Sequence, residues 1–541
     1  MKKKILLSLT AAILLFTTLS FKSDFFEIAK QIEIFTTLFK EINMNYVDEV
    51  NPAELMDSAI KGMLADLDPY TNYWTEQEVE NARISNSGEY TGMGASVYTK
   101  DKKIIILEVY KDYPADKAGL KAGDQITKIG SVDLAQFDDD AGDLLKGAPG
   151  SEVPITFERQ GDIKTTTIKR GEIEVKAVPF YTLTKDKVGY IVLSKFNRKA
   201  SEETAAAVKD LKDQGATSLI LDLRGNPGGL LSEAINVSNI FLPKNKLITT
   251  TRSAIEKYNK EYKTTNEPLD TEIPLAVLIN GRSASASEIV SGSLQDYDRA
   301  VIVGARSFGK GLVQRPKELT YGTQVKITIS RYYTPSGRCI QALDYWHRDK
   351  NGKAVRTASE DYNEFKTASG RSVYDGGGIL PDIEIKSAAM SGITAALLQD
   401  FAIFDYATHF YYDHSFGELQ DFKFTDGDFK DFKSFLKTSG FQYKTATENA
   451  LEKVYLSAGK DNLQEDINTE FSALSETIDK AKRQQLEDRE DEISKIITDE
   501  LVKRYFYRDG LYTYQLKHNE EIHDAIAVLQ DPAQYAQLLN P

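Results

Sequence analysis

The sequence has few residues of the kinds that build disulfide frameworks and histidine-based metal or catalytic sites. It contains one cysteine and five histidines among 541 residues. A single cysteine, Cys339, excludes intramolecular disulfides, so the fold has to rest on core packing. A basic excess is also missing, since 67 basic residues face 81 acidic ones, a net charge of −14. Nucleic-acid binders need clustered basic surface, so we expect no nucleic-acid partner.

Long apolar runs are scarce, and the composition is that of a globular protein rather than of a multi-span membrane protein. The exception is the start, where three lysines precede the apolar run Ile5–Phe21. This pattern is typical of a signal peptide or an uncleaved anchor, to which we assign residues 1–23. In either form the rest of the chain lies outside the cytoplasm. We therefore expect a cell-envelope protein, periplasmic or anchored, whose N-terminus offers a route to membrane association.

A chain of this length needs two to four cores of about 100 to 200 residues each. Apolar residues at helical spacing predict a helical segment over residues 24–85, including a helix capped by Asn51 with Pro52 in its first turn. Short β-branched runs between glycine and aspartate turns predict a β-rich module over residues 86–173.

The second half of the chain predicts two further regions. Over residues 174–387, apolar strands such as VGYIVLSKF and LAVLIN alternate with amphipathic helices, which favours a layered α/β domain with parallel pairing. Residues 388–541 are aromatic, charged and helical, and the segment from Glu465 to Phe506 is interpreted as one long amphipathic helix. We interpret this last region as a docking or dimerising domain, which makes a homodimer through the helical domains an expectation.

The stretch GRSASASEIVSG, residues 281–292, packs small residues between an apolar strand and a helical pattern. Gly281 permits a sharp turn, and a serine at such a junction is exposed to substrate. Helix N–H groups behind it favour developing negative charge. Serine and glutamate in SASE also match the pattern of a helix capping box. From these residues alone, the alternative to a nucleophilic serine is a serine that caps the helix.

A nucleophilic serine needs a base, and no histidine follows the strand-turn signature of a triad. The histidines of HNEEIH lie five apart, which is not the spacing of a zinc pair. Lys310, flanked by glycines in AVIVGARSFGKGLVQ, is the candidate. Burial without a carboxylate partner would lower the pKa of its amine from about 10.4 towards 7. A surface lysine in a loop is the alternative.

Residues 86–173 resemble a PDZ domain in two segments, YTGMGASV and PADKAGLKAGDQITKIGSVDL. The first matches the carboxylate-binding loop, so the resemblance assigns substrate binding to Gly92, Met93, Gly94 and Ala95. The glycines would let backbone N–H groups grip a chain-terminal carboxylate while the next strand adds a peptide by β-augmentation. A β-rich module whose glycines only make turns is the alternative.

The segment from Gly281 to Gln314 closely resembles the catalytic segment of carboxy-terminal processing proteases, which are serine–lysine peptidases. Further matches are LILDLRGNPGGLLSEA, SRYYTPSGRCIQ and GGGILPDIEI, so the resemblance covers about residues 30–387. It implies a multidomain α/β protein: a layered protease core, an inserted PDZ domain, an N-terminal helical segment and a C-terminal helical domain.

Carried over residue by residue, the resemblance makes Ser285 the nucleophile, Lys310 the base and Gln314 the residue that orients the lysine. The oxyanion hole would combine the N–H groups of Ala286 and Gly228, with Gly229 as a substitute for Gly228. Ser283 and Ser287 are assigned to the turn and to the helix cap. Cys339 is interpreted as a residue that packs in the core.

The implied activity is a serine endopeptidase that cleaves envelope proteins near their C-termini. Its substrates are polypeptides with free C-termini, bound by the PDZ domain through the carboxylate, and no metal or other cofactor is expected. The alternatives are a catalytically inactive PDZ scaffold and a non-peptidase acyl hydrolase.

Overall fold

The computed structural model describes residues 25–137, 140–350, 352–385 and 390–540. The predicted leader, residues 1–23, lies outside these residues. Within the described ranges, no helix combines the length and the apolar character needed to cross a membrane. The chain divides into two compact units, the first formed by Met1–Val79 with Gln314–Thr328 and the second by Glu80–Val313 with Ile329–Pro541.

The described helices are α1 (25–45), α2 (Pro52–Ala65), α3 (Glu76–Ser87), α4 (Pro114–Lys117), α5 (Ala200–Asp213), α6 (Leu231–Phe241), α7 (Ala286–Asp296), α8 (Gly392–Gln399), α9 (Ala402–Asp413), α10 (Asp426–Ser439), α11 (Ala446–Lys460), α12 (Gln464–Asp488), α13 (Glu490–His518), α14 (Glu520–Gln530) and α15 (Pro532–Leu539). The described strands are β1 (Asn72–Trp74), β2 (Glu89–Gly92), β3 (Ala95–Lys100), β4 (Lys103–Val109), β5 (Gln125–Ile129), β6 (Val132–Asp133), β7 (Glu152–Arg159), β8 (Asp162–Lys169), β9 (Gly171–Glu174), β10 (Phe180–Leu183), β11 (Val188–Val192), β12 (Ser218–Asp222), β13 (Leu247–Arg252), β14 (Lys260–Lys263), β15 (Leu275–Ile279), β16 (Val301–Gly304), β17 (Leu312–Glu318), β18 (Gln324–Tyr333), β19 (Leu343–Arg348), β20 (Ala354–Arg356), β21 (Glu364–Lys366), β22 (Ser372–Tyr374) and β23 (Ile383–Glu384).

In the first unit, helix α2 begins as its sequence predicts. Asn51 is the N-cap and accepts a hydrogen bond from the Ala53 amide at 3.0 Å, while Pro52 occupies the first helical position. Proline fits there because the first N–H groups of a helix have no intrahelical acceptor. Strand β1 pairs antiparallel with β18, with Asn72 opposite Lys326.

The β-rich module of the second unit is built on the sheet order β3-β4-β5-β7-β8, with β6 beside β5. Alternate residues of β4 point inward, so Ile104 and Ile106 are fully buried and pack with Leu120, Ile126 and Ile155. Strand β3 ends the sheet order, so its outer edge is a place where an added strand would pair.

The α/β domain is built on the sheet order β10-β11-β12-β15-β16-β23. Strands β11, β12, β15, β16 and β23 are parallel and β10 is antiparallel, which confirms the predicted parallel pairing. Every residue of β11, β12, β15 and β16 is buried, as expected for apolar strands covered on both faces.

Different parts of the chain cover the two faces of this sheet. On one face lie α5, α6 and α7, whose residues pack with Leu219, Val277 and Ile302. On the other face, Ile522 and Ala525 of α14 are fully buried in a cluster with residues of β11, β12, β15 and β16. The C-terminal helices therefore form the second helical layer of the α/β domain.

The long helix predicted from Glu465 to Phe506 is wrong in one respect, because the chain breaks at Arg489 (φ −115°, ψ 19°) between α12 and α13. The surroundings change at the break. Helix α12 has no buried residue, whereas α13 buries Ile493 and Ile497 against the aromatic core of α9 and α10. The break at Arg489 therefore separates a helix without buried residues from one that packs into a core.

The β-rich module is held by α13 and α9. The Arg508 guanidinium binds Glu108 through two hydrogen bonds of 2.5 and 2.7 Å, and the Tyr507 hydroxyl donates to Asp116 at 2.7 Å. Tyr98 of β3 stacks on Phe401 with ring centroids 5.1 Å apart. The C-terminal helices thus contact both the β-rich module and the α/β domain.

Candidate active site

Ser285 lies at the turn between β15 and α7, where the sequence predicts a strand-to-helix junction. Its backbone has φ +55° and ψ −111°, a conformation that non-glycine residues rarely adopt and that costs on the order of 1 to 3 kcal/mol. The side chain is half-buried. Ala286, the next residue, is the first of α7, so its N–H lacks an intrahelical acceptor.

Two neighbouring serines secure this turn. The Ser283 hydroxyl accepts from the Asn280 amide at 2.9 Å and donates to the Leu223 carbonyl at 2.8 Å, so it has the expected turn duty. The cap duty expected of Ser287 is wrong, because Ser285 itself is the N-cap of α7. Ser287 is the second residue of α7, and its hydroxyl donates to the Asn226 carbonyl at 2.9 Å.

Lys310 follows β16 in the loop that the sequence indicated, and it is half-buried. Its carbonyl accepts a hydrogen bond from the Tyr332 hydroxyl. The flanking glycines are required by packing. A Cβ on Gly309 would lie 2.4 Å from the Ala342 Cβ, and one on Gly311 would lie 2.9 Å from the Gln341 amide nitrogen. The loop is therefore pressed against residues 341–342.

Glu288 joins the serine turn to the lysine loop. Its fully buried carboxylate accepts from the Ser285 amide at 2.8 Å and the Lys310 amide at 2.9 Å, both through Oε2, and from the Ser307 hydroxyl at 2.6 Å and the Gly309 amide at 2.7 Å, both through Oε1. Burial raises the pKa of this carboxyl, and the four hydrogen bonds oppose that rise. Sequence reasoning placed Glu288 only in a capping box, which explains the bond to Ser285 and not the other three.

The glycine loop of GNPGG approaches the serine closely. A Cβ on Gly228 (φ +96°) would lie 2.9 Å from the Ser285 Cβ and 2.9 Å from the Ala286 nitrogen. Only glycine fits there. In this conformation the Gly228 amide donates to the Asn226 side-chain oxygen at 2.9 Å. Gly229 lies against Phe196, whose carbonyl oxygen would be 2.2 Å from an added Cβ.

Asn226 holds the glycine loop in place. This residue is fully buried, its side-chain amide donates to the Leu193 carbonyl at 2.7 Å, and its own carbonyl accepts from the Ala284 amide at 3.0 Å. Together with the Ser287 bond, these contacts tie the loop to the serine turn from both sides. The sequence offered GNPGG as a motif, but it did not single out Asn226.

Gln314 belongs to the first compact unit, whereas Ser285 and Lys310 belong to the second. In its own unit the Gln314 amide donates to the Thr328 hydroxyl at 3.3 Å, and that hydroxyl donates to Asp68 at 3.1 Å. The predicted role of Gln314 towards Lys310 stays a prediction.

The four residues predicted to bind a carboxylate span the end of β2 and the start of β3. Met93 is buried in the core of the β-rich module, and its carbonyl accepts from the Ala115 amide at 2.7 Å. Gly94 has φ +72°, and a Cβ there would lie 2.4 Å from the Tyr113 Cβ, so only glycine fits. Gly92 is also buried, and Ala95 opens the edge strand β3. Their ligand stays a prediction.

Cys339 is partly buried, and burial raises the pKa of its thiol. A raised pKa leaves little thiolate, which agrees with a packing residue rather than a nucleophile. Among the described residues, no cluster of His, Cys, Asp and Glu side chains could hold a metal ion.

A PDZ-like module, a parallel α/β core and a serine at a strained strand-to-helix turn are the features expected of a PDZ-containing serine-type peptidase. Family models agree. Residues 187–344 match peptidase family S41, residues 91–169 match a PDZ domain, residues 18–78 match the activating protease CtpB N-terminal domain, and residues 393–529 match the probable PDZ-protease C-terminal helical domain.

Two similar proteins have names that agree with these family models. The chain is 38% identical over 321 residues to a carboxy-terminal-processing protease of Bartonella bacilliformis, which covers 58% of this chain and 73% of that protein. It is 35% identical over 306 residues to a probable CtpA-like serine protease of Staphylococcus haemolyticus, covering 56% and 61% of the two chains. A solved photosystem II D1 C-terminal processing protease aligns with 25% identity over 66% of this chain and 88% of the other, with a TM-score of 0.37.

The chain belongs to the carboxy-terminal processing proteases of peptidase family S41 and is a serine-type peptidase. The multidomain α/β fold class predicted from the sequence is confirmed.

Proposed function

We propose that this protease hydrolyses peptide bonds near the C-termini of envelope polypeptides, with Ser285 as nucleophile and Lys310 as general base. The observation that carries this assignment is the Glu288 carboxylate, which binds the amides of both residues and so holds the two backbones next to each other. A buried residue that joins a strained serine to a glycine-flanked lysine is what a dyad with a fixed spacing requires.

The chemistry proceeds in two halves. The neutral amine of Lys310 takes the proton of the Ser285 hydroxyl as the oxygen attacks the scissile carbonyl, and the resulting ammonium gives that proton to the amine leaving group as the C–N bond breaks. Water then attacks the ester carbonyl of the acyl-enzyme while Lys310 takes its proton, the proton returns to the Ser285 oxygen as the ester bond breaks, and a shortened polypeptide with a new carboxylate leaves. The protein requires no metal or nucleotide for these steps.

The negative oxygen that forms at each attack needs N–H donors. The Ala286 amide, first in α7 and next to the nucleophile, is one donor, and an amide of the glycine loop is the other. For the Gly228 amide to serve, it has to leave the Asn226 side chain, to which it donates in the present conformation. One oxyanion donor typically contributes about 3 kcal/mol to transition-state stabilisation.

Substrate selection, in this proposal, begins at the PDZ domain. Residues 92–95 receive the terminal carboxylate, and the last residues of the substrate pair with the open edge of β3. The predicted leader places this reaction in the cell envelope, where the N-terminus attaches the protein to the membrane or is removed.

The test uses two quenched fluorescent peptides of one sequence that ends in apolar residues, one with a free C-terminus and one amidated. The wild-type chain should cleave the free peptide faster, and Ser285→Ala should cleave neither while keeping its thermal midpoint. Cleavage by Ser285→Ala would refute the nucleophile, and equal cleavage of both peptides would refute carboxylate recognition. Hydrolysis of a small ester with both peptides intact would favour a non-peptidase acyl hydrolase, and binding without turnover would favour a scaffold.

A further inference from the structure

The junction of α13 and α14, in the C-terminal helical region, reaches the loop that precedes GNPGG. There the Arg224 guanidinium is 90% buried and surrounded by acceptors. Its Nη1 donates to the Asn519 side-chain oxygen at 2.9 Å and to the Glu521 carboxylate. Its Nε and Nη2 bind Asp222, at 3.0 and 2.6 Å.

The two acceptors from the C-terminal region are rigidly placed. Asn519 is the N-cap of α14, where its side-chain oxygen also accepts from the Ile522 amide at 3.2 Å. Glu521 follows in the first turn of the same helix. Because Ile522 and Ala525 are fully buried against the parallel sheet, α14 holds both acceptors at a fixed place relative to β12.

Arg224 is in turn attached to the glycine loop. Its amide donates to Asp222 at 2.9 Å, and the next residue, Gly225, donates its amide to the Asn280 side chain at 3.0 Å. Asn226, which binds the serine turn, follows one residue later. The loop therefore leaves β12 through a buried arginine whose side chain is held by helix α14.

We propose that Asn519 and Glu521 are positioning residues for peptide hydrolysis, which hold the oxyanion loop 225–229 in place through Arg224. This inference rests on the proposed function. It makes the C-terminal helical region part of the active-site structure and not only a docking or dimerising element.

The charges around Arg224 support this role. One guanidinium lies between two carboxylates, Asp222 and Glu521, in a site that solvent reaches little. Without Glu521 the arginine keeps its bonds to Asp222, so the fold survives, but Nη1 loses its charged acceptor and is held only by the neutral Asn519 oxygen. Charge-assisted hydrogen bonds of this kind are the strong and directional ones.

The experiment compares Glu521→Ala and Glu521→Gln with Glu520→Ala in the full-length chain. Glu520 is exposed and lies in the same first turn of α14, so its replacement removes the same charge from the same helix end. On the free-terminus peptide, Glu521→Ala should lower kcat roughly 10- to 100-fold with KM little changed, because the loop is misplaced and substrate binding is not. Glu520→Ala should match the wild type.

A second measurement does not depend on turnover. Amide hydrogen exchange of residues 223–230 should be about tenfold or more faster in Glu521→Ala than in Glu520→Ala. The double variant Glu521→Gln with Asn519→Asp, which returns a negative charge to Arg224 and keeps the helix cap, should recover slow exchange and most of kcat.

The outcomes separate the two proposals. Exchange or kcat in Glu521→Ala equal to that in Glu520→Ala would overturn the positioning role and leave the proposed function intact. A wild-type chain that cleaves no peptide, or cleavage by Ser285→Ala, would refute the proposed function, and the exchange of residues 223–230 would still decide whether Glu521 holds the loop.

Discussion

The backbone amides of Ser285 and Lys310 donate hydrogen bonds to the same oxygen atom, Oε2 of Glu288, at 2.8 and 2.9 Å. The two residues are 25 positions apart in the chain, yet one buried atom sets the distance between their backbones. The connection uses the main-chain amides of both residues and the side chain of Glu288.

Replacement of Glu288 should therefore damage both stability and activity. Glu288→Gln keeps the shape but turns one oxygen into an N–H₂ group that faces N–H or O–H donors. Each buried donor left without an acceptor costs about 1 to 3 kcal/mol. We expect a lower thermal midpoint and a kcat reduced at least tenfold. Glu256→Gln, at an exposed position, is the control. A Glu288→Gln protein with normal kcat would show that the shared acceptor does not matter.

Gly228 should tolerate no side chain. In Gly228→Ala the new Cβ would lie 2.7 Å from the Ala284 carbonyl oxygen and 2.9 Å from the Ser285 Cβ, so Ser285 has to move. Gly225→Ala is the matched control, since Gly225 also has positive φ (+71°) but has open space around it. Peptide turnover should fall roughly 100-fold more in Gly228→Ala than in Gly225→Ala. Equal losses would attribute the effect to backbone strain alone.

Activity should depend on the protonation of Lys310. In the proposed mechanism only a neutral amine accepts the serine proton, so kcat/KM for the free-terminus peptide should increase with pH. Lys310→Ala and Lys310→Arg should both be inactive across the range, since a guanidinium stays charged. A profile that is flat from about pH 5 to 10, or an active arginine variant, would argue for another base.

Contact between the PDZ domain and α9 should be sensitive to one methyl group. In Gly123→Ala the Cβ would lie 2.4 Å from Thr408 Cγ2, and Thr408 is held because its hydroxyl donates to the Phe404 carbonyl at 2.8 Å and accepts from Arg504 at 2.7 Å. Overpacking of this kind costs about 1 to 3 kcal/mol.

We expect faster amide exchange in α9 and in β4 of Gly123→Ala. The control is Gly161→Ala, another PDZ glycine with positive φ (+83°) and nothing within 4 Å of an added Cβ. Identical exchange in the two variants would mean that the domain contact is not tight at Gly123.

The features predicted correctly are those that neighbouring residues in the chain produce. An apolar strand, a glycine, a run of small residues and a helical pattern specify the turn at Ser285, and Asn51 with Pro52 specifies the start of α2. The missed features join distant segments. Asn226, Ser307 and Arg224 carry ordinary local patterns, and their roles come from partners tens or hundreds of residues away.

Local sequence patterns predicted the parallel strands of the core and the strand-to-helix turn at Ser285. Three features became visible only in the folded chain: Glu288 links Ser285 and Lys310, α14 covers the second face of the sheet, and Glu521 binds Arg224. The two kinds of feature differ in how far apart the interacting residues lie along the chain. Helix caps, turns and strand patterns depend on residues within a few positions, whereas a buried carboxylate or guanidinium takes whichever partners the folded chain brings to it.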